Sequence, residues 1–269
     1  KAQTLAVILP VPLISGSDRP QEDCIACSPQ EVKDAKIKIG YEYQLLLLPA
    51  MGKPFQDYIL NLTGASAITG QEQIQSLWSG YGEILRLELE GSPLKSVIVK
   101  LIEGETHVQH PRGWQGKIGH QRKLRSYQIE SHWYQNYARL SKARLPFCYG
   151  KAEESGKTLL VLEDLDATGF PLRLERLNLA QMKPCIIWLA QFHADFMGVK
   201  PEGLWPLGTY WHLATRQEEW AALEEGSLKK AAAAIAQKLQ DNPFKTLVHG
   251  DAKLANFCFA SNGAVAALD

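Results

Sequence analysis

The chain has 269 residues, in which 29 Lys plus Arg are balanced by 29 Asp plus Glu and 45% of the residues are hydrophobic. That length suits one large domain or two small ones and is ample for a sizeable core. The zero formal net charge leaves no electrostatic footprint for nucleic acid or an acidic membrane surface, and no apolar run approaches the length that spans a bilayer.

The first fifty residues differ from the rest. They carry Pro-rich and polar stretches with no sustained helical or strand period. The apolar run from Leu5 to Leu13 is interrupted by Pro10 and Pro12, has only Lys1 before it and makes a poor secretory signal. Cys24 and Cys27 form a single C-x-x-C with neither a second pair nor nearby histidines, which argues against zinc, and without the βαβ context of a redox motif. Met51-Gly52-Lys53 reads as a natural start. Residues 1–50 therefore read as an atypical N-terminal extension: a disordered tail, a linker remnant or non-native sequence from upstream of the true start, with a small genuine extension as the alternative; their removal is expected to leave melting temperature and activity almost unchanged. Asn61-Leu62-Thr63 matches a glycosylation acceptor, which means little in a cytoplasmic chain.

From Ile74 the pattern sharpens. Leu77-Trp78-Ser79-Gly80-Tyr81-Gly82 reads as a glycine turn. It leads into Ile84, Leu85, Leu87 and Leu89, then a Gly91-Ser92-Pro93 turn and the run Ser96 to Leu101. The spacing predicts strand, glycine loop, strand, turn, strand. Gly80 and Gly82 suit either a loop whose N–H groups approach phosphate or a plain hairpin turn. Glu103 to Gly119 reads as an exposed loop. Arg122 to Leu140 is helical in composition, with Leu124, Tyr127, Tyr134 and Ala138 near one face and Glu130 beside that stripe. Arg122, Lys123 and Arg125 read as a solvated helix start. Two apolar segments, around Phe147-Cys148-Tyr149 and Thr158 to Leu162, read as strands joined by Glu153 to Gly156, and Glu163-Asp164-Leu165-Asp166 forms an acidic, hinge-like stretch.

The second half is helical. Asn178 can cap a helix carrying Met182, Cys185, Ile186, Leu189, His193 and Phe196, with Pro184 bending it or delaying its start. Residues 216–240 hold two helical pieces broken near Gly226-Ser227. Trp205, Trp211 and Trp220 suit an aromatic pocket or ordinary packing. Cys148, Cys185 and Cys258 lie in apolar surroundings and read as buried thiols. Five cysteines in all, an odd number, fit a reducing, cytoplasmic location.

The most informative stretch comes last. Leu247-Val248 leads into His249-Gly250-Asp251, Asn256 follows Asp251 by five residues, and a second apolar run delivers Asp269. Phosphoryl transfer in the kinase manner needs these groups at this spacing: a carboxylate to accept the acceptor's hydroxyl proton, then an amide oxygen and a second carboxylate to hold Mg²⁺. His249 reads as a brace for the loop backbone rather than an acid–base catalyst. Upstream, Lys100 ends a strand and Glu130 lies on the next helix, a pairing that holds a cation at fixed depth for a nucleotide phosphate. The chain stops on Asp269 and is expected to be a fragment.

From Ile74 to Asp269 the order of elements resembles the protein-kinase-like small-molecule phosphotransferases: aminoglycoside phosphotransferases, choline kinases and the ecdysteroid-kinase-like group. The resemblance is most specific at His249-Gly250-Asp251 through Asn256 and at Asp269. It is looser at Leu162-Glu163-Asp164-Leu165 and Leu189-Ala190-Gln191-Phe192-His193-Ala194. The glycine loop and the Lys-to-helix-Glu order are closest to the ecdysteroid-kinase-like group. The resemblance implies Asp251 as catalytic base, Asn256 and Asp269 as Mg²⁺ ligands, Lys100 on the ATP phosphates, Glu130 holding Lys100, and backbone groups around Glu163 to Leu165 meeting adenine. Gly250 stands where protein kinases carry Arg, as in the small-molecule branch. The implied fold is α+β and bilobal, with a β-rich nucleotide lobe and hinge over residues 51–165 and a helical lobe over 166–269. That second lobe would be truncated at Asp269, before helices that complete the acceptor pocket. The implied activity is ATP-dependent transfer to a small-molecule hydroxyl, with no nucleic-acid or membrane partner. Choline-like cations, sugars, aminoglycosides and steroid-like alcohols all fit such a scaffold. The rival readings are a pseudokinase or nucleotide-binding module without turnover and, behind it, a protein kinase.

Overall fold

A short helix opens the described part of the chain. The computed structural model describes residues 51–77, 80–103, 117–208, 213 and 217–268. The atypical residues 1–50, with their C-x-x-C, thus lie outside the described residues, as do Trp78, Ser79, Trp211 and Asp269. Helix α1 (Lys53–Thr63) begins with a proline in its first turn, where a missing N–H costs nothing, and ends at Gly64 in the left-handed conformation (φ 66°). No expectation covered this helix; a stripe as short as Phe55 and Ile59 does not stand out in a sequence.

Five strands follow, β1 (Ala67–Ser76), β2 (Gly82–Glu90), β3 (Ser96–Glu103), β4 (Cys148–Glu154) and β5 (Lys157–Glu163), in one antiparallel sheet ordered β1-β2-β3-β5-β4. The expected strand–turn–strand–turn–strand order is present, with β1 starting seven residues before Ile74. The β4–β5 turn is only Ser155-Gly156, both at positive φ (49° and 77°), as the type I′ hairpin turn requires. Alternation divides the sheet's residues between two faces. Leu85, Leu87, Val97, Val99, Leu101, Leu159 and Val161 pack on Met51, Phe55 and Ile59 of the α1 segment. Leu160, Leu162 and Cys148 pack instead on Tyr134 and Ala138.

Tyr134 belongs to α2 (Lys117–Asn136), which begins inside the stretch expected to be loop and gives way to a 3₁₀ turn (Ala138–Leu140). Beyond β5 come α3 (Leu179–Asp195), α4 (Gln217–Ala222), α5 (Ser227–Gln240), a 3₁₀ turn (Leu254–Asn256) and the hairpin β6 (Phe257–Phe259) and β7 (Val265–Ala267). Asn178 caps α3 through a reciprocal box with Gln181, and Pro184 is accommodated inside the helix. The α3 core face is Cys185, Trp188 and Phe192, continued by Phe196, whereas Met182 and Ile186 are exposed. Two apolar stripes fit the helical period here, and the one buried carries the larger aromatic area. It packs on Leu247, Phe257, Phe259, Val265 and Ala267. No described helix is long and apolar enough to cross a membrane.

Candidate active site

The glycine turn is closed by its own backbone. Leu77 N–H donates to the Gly82 carbonyl (2.7 Å), Gly80 N–H to Leu77 (3.1 Å) and Glu103 N–H to Tyr81 (2.8 Å). The Gly80 amide thus already serves the turn. Tyr81 is buried with Leu77, Ile102 and Tyr127. Gly82 has φ +131°, and a Cβ there would sit 1.9 Å from the Leu101 carbonyl oxygen. Gly82→Ala is therefore expected to cost about 3 kcal/mol or more, read as a drop in the urea midpoint; a loss under about 1 kcal/mol would show that the strand gives way.

Lys100 does not end its strand as expected but lies inside the central strand β3, whose pairing with both neighbours continues past it, opposite Ile84 of β2 and Leu160 of β5. It is only 6% exposed. Its Nζ lies 2.6 and 2.7 Å from the two oxygens of Glu130 on α2, and 5.6 Å from the centre of the Tyr127 ring one turn earlier. Burying an ammonium is costly unless a carboxylate compensates it, and this one is held by both oxygens.

Glu163 ends β5 with its carboxylate on the Arg144 guanidinium (2.7 Å through Nη1, with a second contact through Nη2) and on the Phe147 N–H (2.9 Å). Burial raises its carboxyl pKa, but the bonds from Arg144, Phe147 and Thr168 outweigh this and hold it below the ordinary value. The Glu163 N–H donates to the Phe147 carbonyl (2.8 Å), and the Leu165 carbonyl accepts from Phe170 (2.8 Å), so these two backbone groups are used within the protein. Leu165 is buried against Cys258 and Ala266 of the β6–β7 hairpin. The Arg144 carbonyl accepts from Trp188 Nε1 (2.8 Å) and Ala267 N–H (3.1 Å). Arg144 thereby joins the end of the sheet to the helical part.

A folded-state pKa below the unfolded value means that Glu163 stabilises the fold above about pH 4 and that this contribution is lost as pH falls through the folded value. The stability gap between wild type and Glu163→Gln should be constant from about pH 6 to 8 and should narrow below about pH 4. A gap that stayed constant into acid would exclude the linkage.

The last element is the loop around Asp251. Gly250 takes φ 83°, turning the chain between His249 and Asp251. The Asp251 N–H donates to His249 Nδ1 (3.4 Å), so this ring braces the loop backbone, seated against Trp188 and Phe192. Asp251 is 45% exposed and its Oδ2 accepts from Lys253 Nζ at 2.7 Å. Asn256, only 6% exposed, donates from Nδ2 to the Asp251 carbonyl (2.9 Å) and to Oδ2 (3.2 Å). With both bonds made through nitrogen, the amide oxygen is directed elsewhere. An amide oxygen is a hard donor of the kind Mg²⁺ takes. The Leu268 N–H donates to the Asn256 carbonyl (2.9 Å); the next residue, Asp269, lies outside the described residues. His193 on α3 is a packed helix histidine whose pKa is lowered by burial and by the charge of His249. Cys148, Cys185 and Cys258 are buried free thiols.

Lys253, Arg144 and Trp188 were not singled out by sequence reasoning. Lys253 had a readable signal, two residues after Asp251 in the loop. The Arg144–Glu163 pair spans nineteen residues and carries none.

Residues 126–202 match the ecdysteroid kinase-like family. No curated protein matches the chain. Among solved structures, a protein assigned as a fructosamine-3-kinase from Haemophilus somnus 129PT is similar at 19% identity, with 83% of this chain and 73% of that one covered and a TM-score of 0.47. WbdD is similar at 11% identity over 76% of this chain, with a TM-score of 0.36. A second structure, of the bifunctional kinase-methyltransferase WbdD, gives 11%, 76% and 0.35. This chain spans 32% and 33% of those two WbdD chains.

Proposed function

We propose that the protein is an ATP-dependent phosphotransferase that moves the γ-phosphoryl group to a hydroxyl of a small molecule. The observation that carries this reading is the buried Lys100–Glu130 pair at 2.6 Å in the middle of the sheet. An apolar residue would stabilise that position at least as well, whereas a cation held at fixed depth is what nucleotide phosphates require. The ecdysteroid kinase-like match over residues 126–202, which includes Glu130, agrees with it.

In this reading Lys100 contacts the phosphates and Glu130 orients it. The turn through Gly80 and Gly82 covers the phosphates, and the backbone between Glu163 and Leu165 borders adenine. Asp251 accepts the acceptor's hydroxyl proton as that oxygen bonds to the γ-phosphorus and the bond to the ADP oxygen breaks. Asn256 and Asp269 would hold Mg²⁺, which neutralises charge on the phosphate oxygens when bound. Lys253 holds the Asp251 carboxylate in place by its bond to Oδ2 at 2.7 Å.

The test is Mg²⁺-dependent ATP binding by the full-length protein, followed by ADP release against hydroxylated acceptors: sugars, amino sugars, choline-like amines and steroid alcohols. Acceptor-dependent ADP release is the expected result. ATP binding without release on any acceptor would leave a nucleotide-binding module, and absence of Mg²⁺-dependent binding would overturn the reading.

A further inference from the structure

Arg86 on β2 lies opposite Ile98, two residues along from Ile84, which lies opposite Lys100. Alternation thus places Arg86 on the same face of the sheet as Lys100. Its side chain is 25% exposed and forks to three carboxylates: Glu72 of β1 through Nη1 (2.8 Å), Asp164 through Nε (2.8 Å) and Asp166 through Nη2 (2.5 Å). Asp164 is nearly fully buried and also accepts from the Ser96 hydroxyl (2.7 Å) and the Asp166 N–H (3.0 Å). Burial raises its carboxyl pKa, but the bonds from Ser96 and Arg86 outweigh that and keep it below the ordinary carboxylate value. The other oxygen of Asp166 is held by Arg173 (2.9 Å). Next to Arg173, Leu172 exchanges both backbone bonds with Phe259 of β6 (3.1 and 2.9 Å). A chain of ion pairs therefore runs from β1 through β2 and the Asp164–Asp166 stretch to Arg173, and the backbone pair of the adjoining Leu172 continues it to the hairpin that follows the Asp251 loop.

A planar guanidinium can satisfy three partners in fixed directions, which an ammonium on a flexible stem cannot. Apolar packing would join these segments without fixing their direction. We propose that Arg86 is a positioning residue: it locks the Asp164–Asp166 stretch to the sheet and, through Arg173, to the catalytic hairpin, and so sets nucleotide affinity. The affinity part rests on the phosphotransferase reading, in which this stretch borders adenine; the lock itself does not.

The test compares wild type, Arg86→Met and Arg86→Lys in the full-length protein. Amide hydrogen exchange over residues 164–172, without nucleotide, should speed up roughly tenfold in Arg86→Met. Affinity for Mg²⁺·ATP should fall roughly tenfold, affinity for Mg²⁺·tripolyphosphate should stay within about twofold because the Lys100 end is untouched, and Arg86→Lys should recover only part of the loss. Unchanged exchange in folded Arg86→Met would overturn the lock. Faster exchange with unchanged ATP affinity, on a wild type that binds Mg²⁺·ATP, would overturn its link to the nucleotide. A wild type that binds no Mg²⁺·ATP would overturn the phosphotransferase reading and the affinity claim with it, while exchange still judges the lock. Should Arg86→Met not fold, Asp166→Asn, at a side chain 32% exposed, takes its place with the same expectations.

Discussion

Asp251→Asn should lower phosphoryl transfer by about 10²–10⁴-fold while nucleotide affinity stays within a few-fold of wild type. The substitution keeps the size and shape of the side chain. Asn256 Nδ2 keeps the Asp251 carbonyl as partner, because that bond at 2.9 Å goes to the backbone. The position is 45% exposed, so little folding energy is at stake and the variant's melting temperature should barely move. What disappears is the carboxylate that Lys253 holds at 2.7 Å and that takes the proton in the proposed reaction. Single-turnover rates at saturating nucleotide, beside a direct measurement of nucleotide binding, separate the two effects. Turnover within a few-fold of wild type would remove Asp251 from the role of base.

Local chemistry made much of this architecture readable. The glycine turn, the Gly91-Ser92-Pro93 turn and the alternation around Val97 and Val99 announce the first three strands, because a period of two with turn residues between has few other uses. Asn178 announces its helix because a capping side chain is a local device. The spacing from His249 to Asn256 is legible for the same reason: the groups it joins lie within one loop, and Asn256 does reach back to Asp251. Long-range arrangements were not legible. The choice between the Met182/Ile186 and Trp188/Phe192 faces of α3 depends on which aromatic rings arrive from β6 and from Tyr137. The ties from Arg144 to Glu163, and from Arg86 to Asp164 and Asp166, join residues 19 to 80 positions apart, and nothing in the intervening sequence marks them. Lys100 and Glu130 form the exception among distant pairs. They were paired because a strand-end lysine followed by a helix glutamate forms a known functional order, and the structure brings their charged groups to 2.6 Å.

Lys100→Ala should reduce ATP use by about 10²-fold or more, the scale on which loss of one preorganised electrostatic group acts, whereas Lys95→Ala should leave it within about twofold. The two lysines lie five residues apart and differ in one physical respect. Lys95 is exposed in the turn before β3, while Lys100 is 6% exposed on the central strand with its ammonium on Glu130. Removing Lys100 also strips Glu130, whose side chain is 13% exposed, of its bidentate cation. Leaving one half of a buried pair behind costs about 3–5 kcal/mol at most, so unfolding must be separated from lost chemistry. The double variant Lys100→Ala/Glu130→Ala does this. With the buried carboxylate removed as well, it should regain much of the lost stability, read by the urea midpoint, and regain none of the lost ATP use. If activity returned together with stability, Lys100 would be a structural residue and the phosphates would have to be bound elsewhere. If Lys95→Ala and Lys100→Ala were equally damaging, the strand would not present Lys100 to a nucleotide at all.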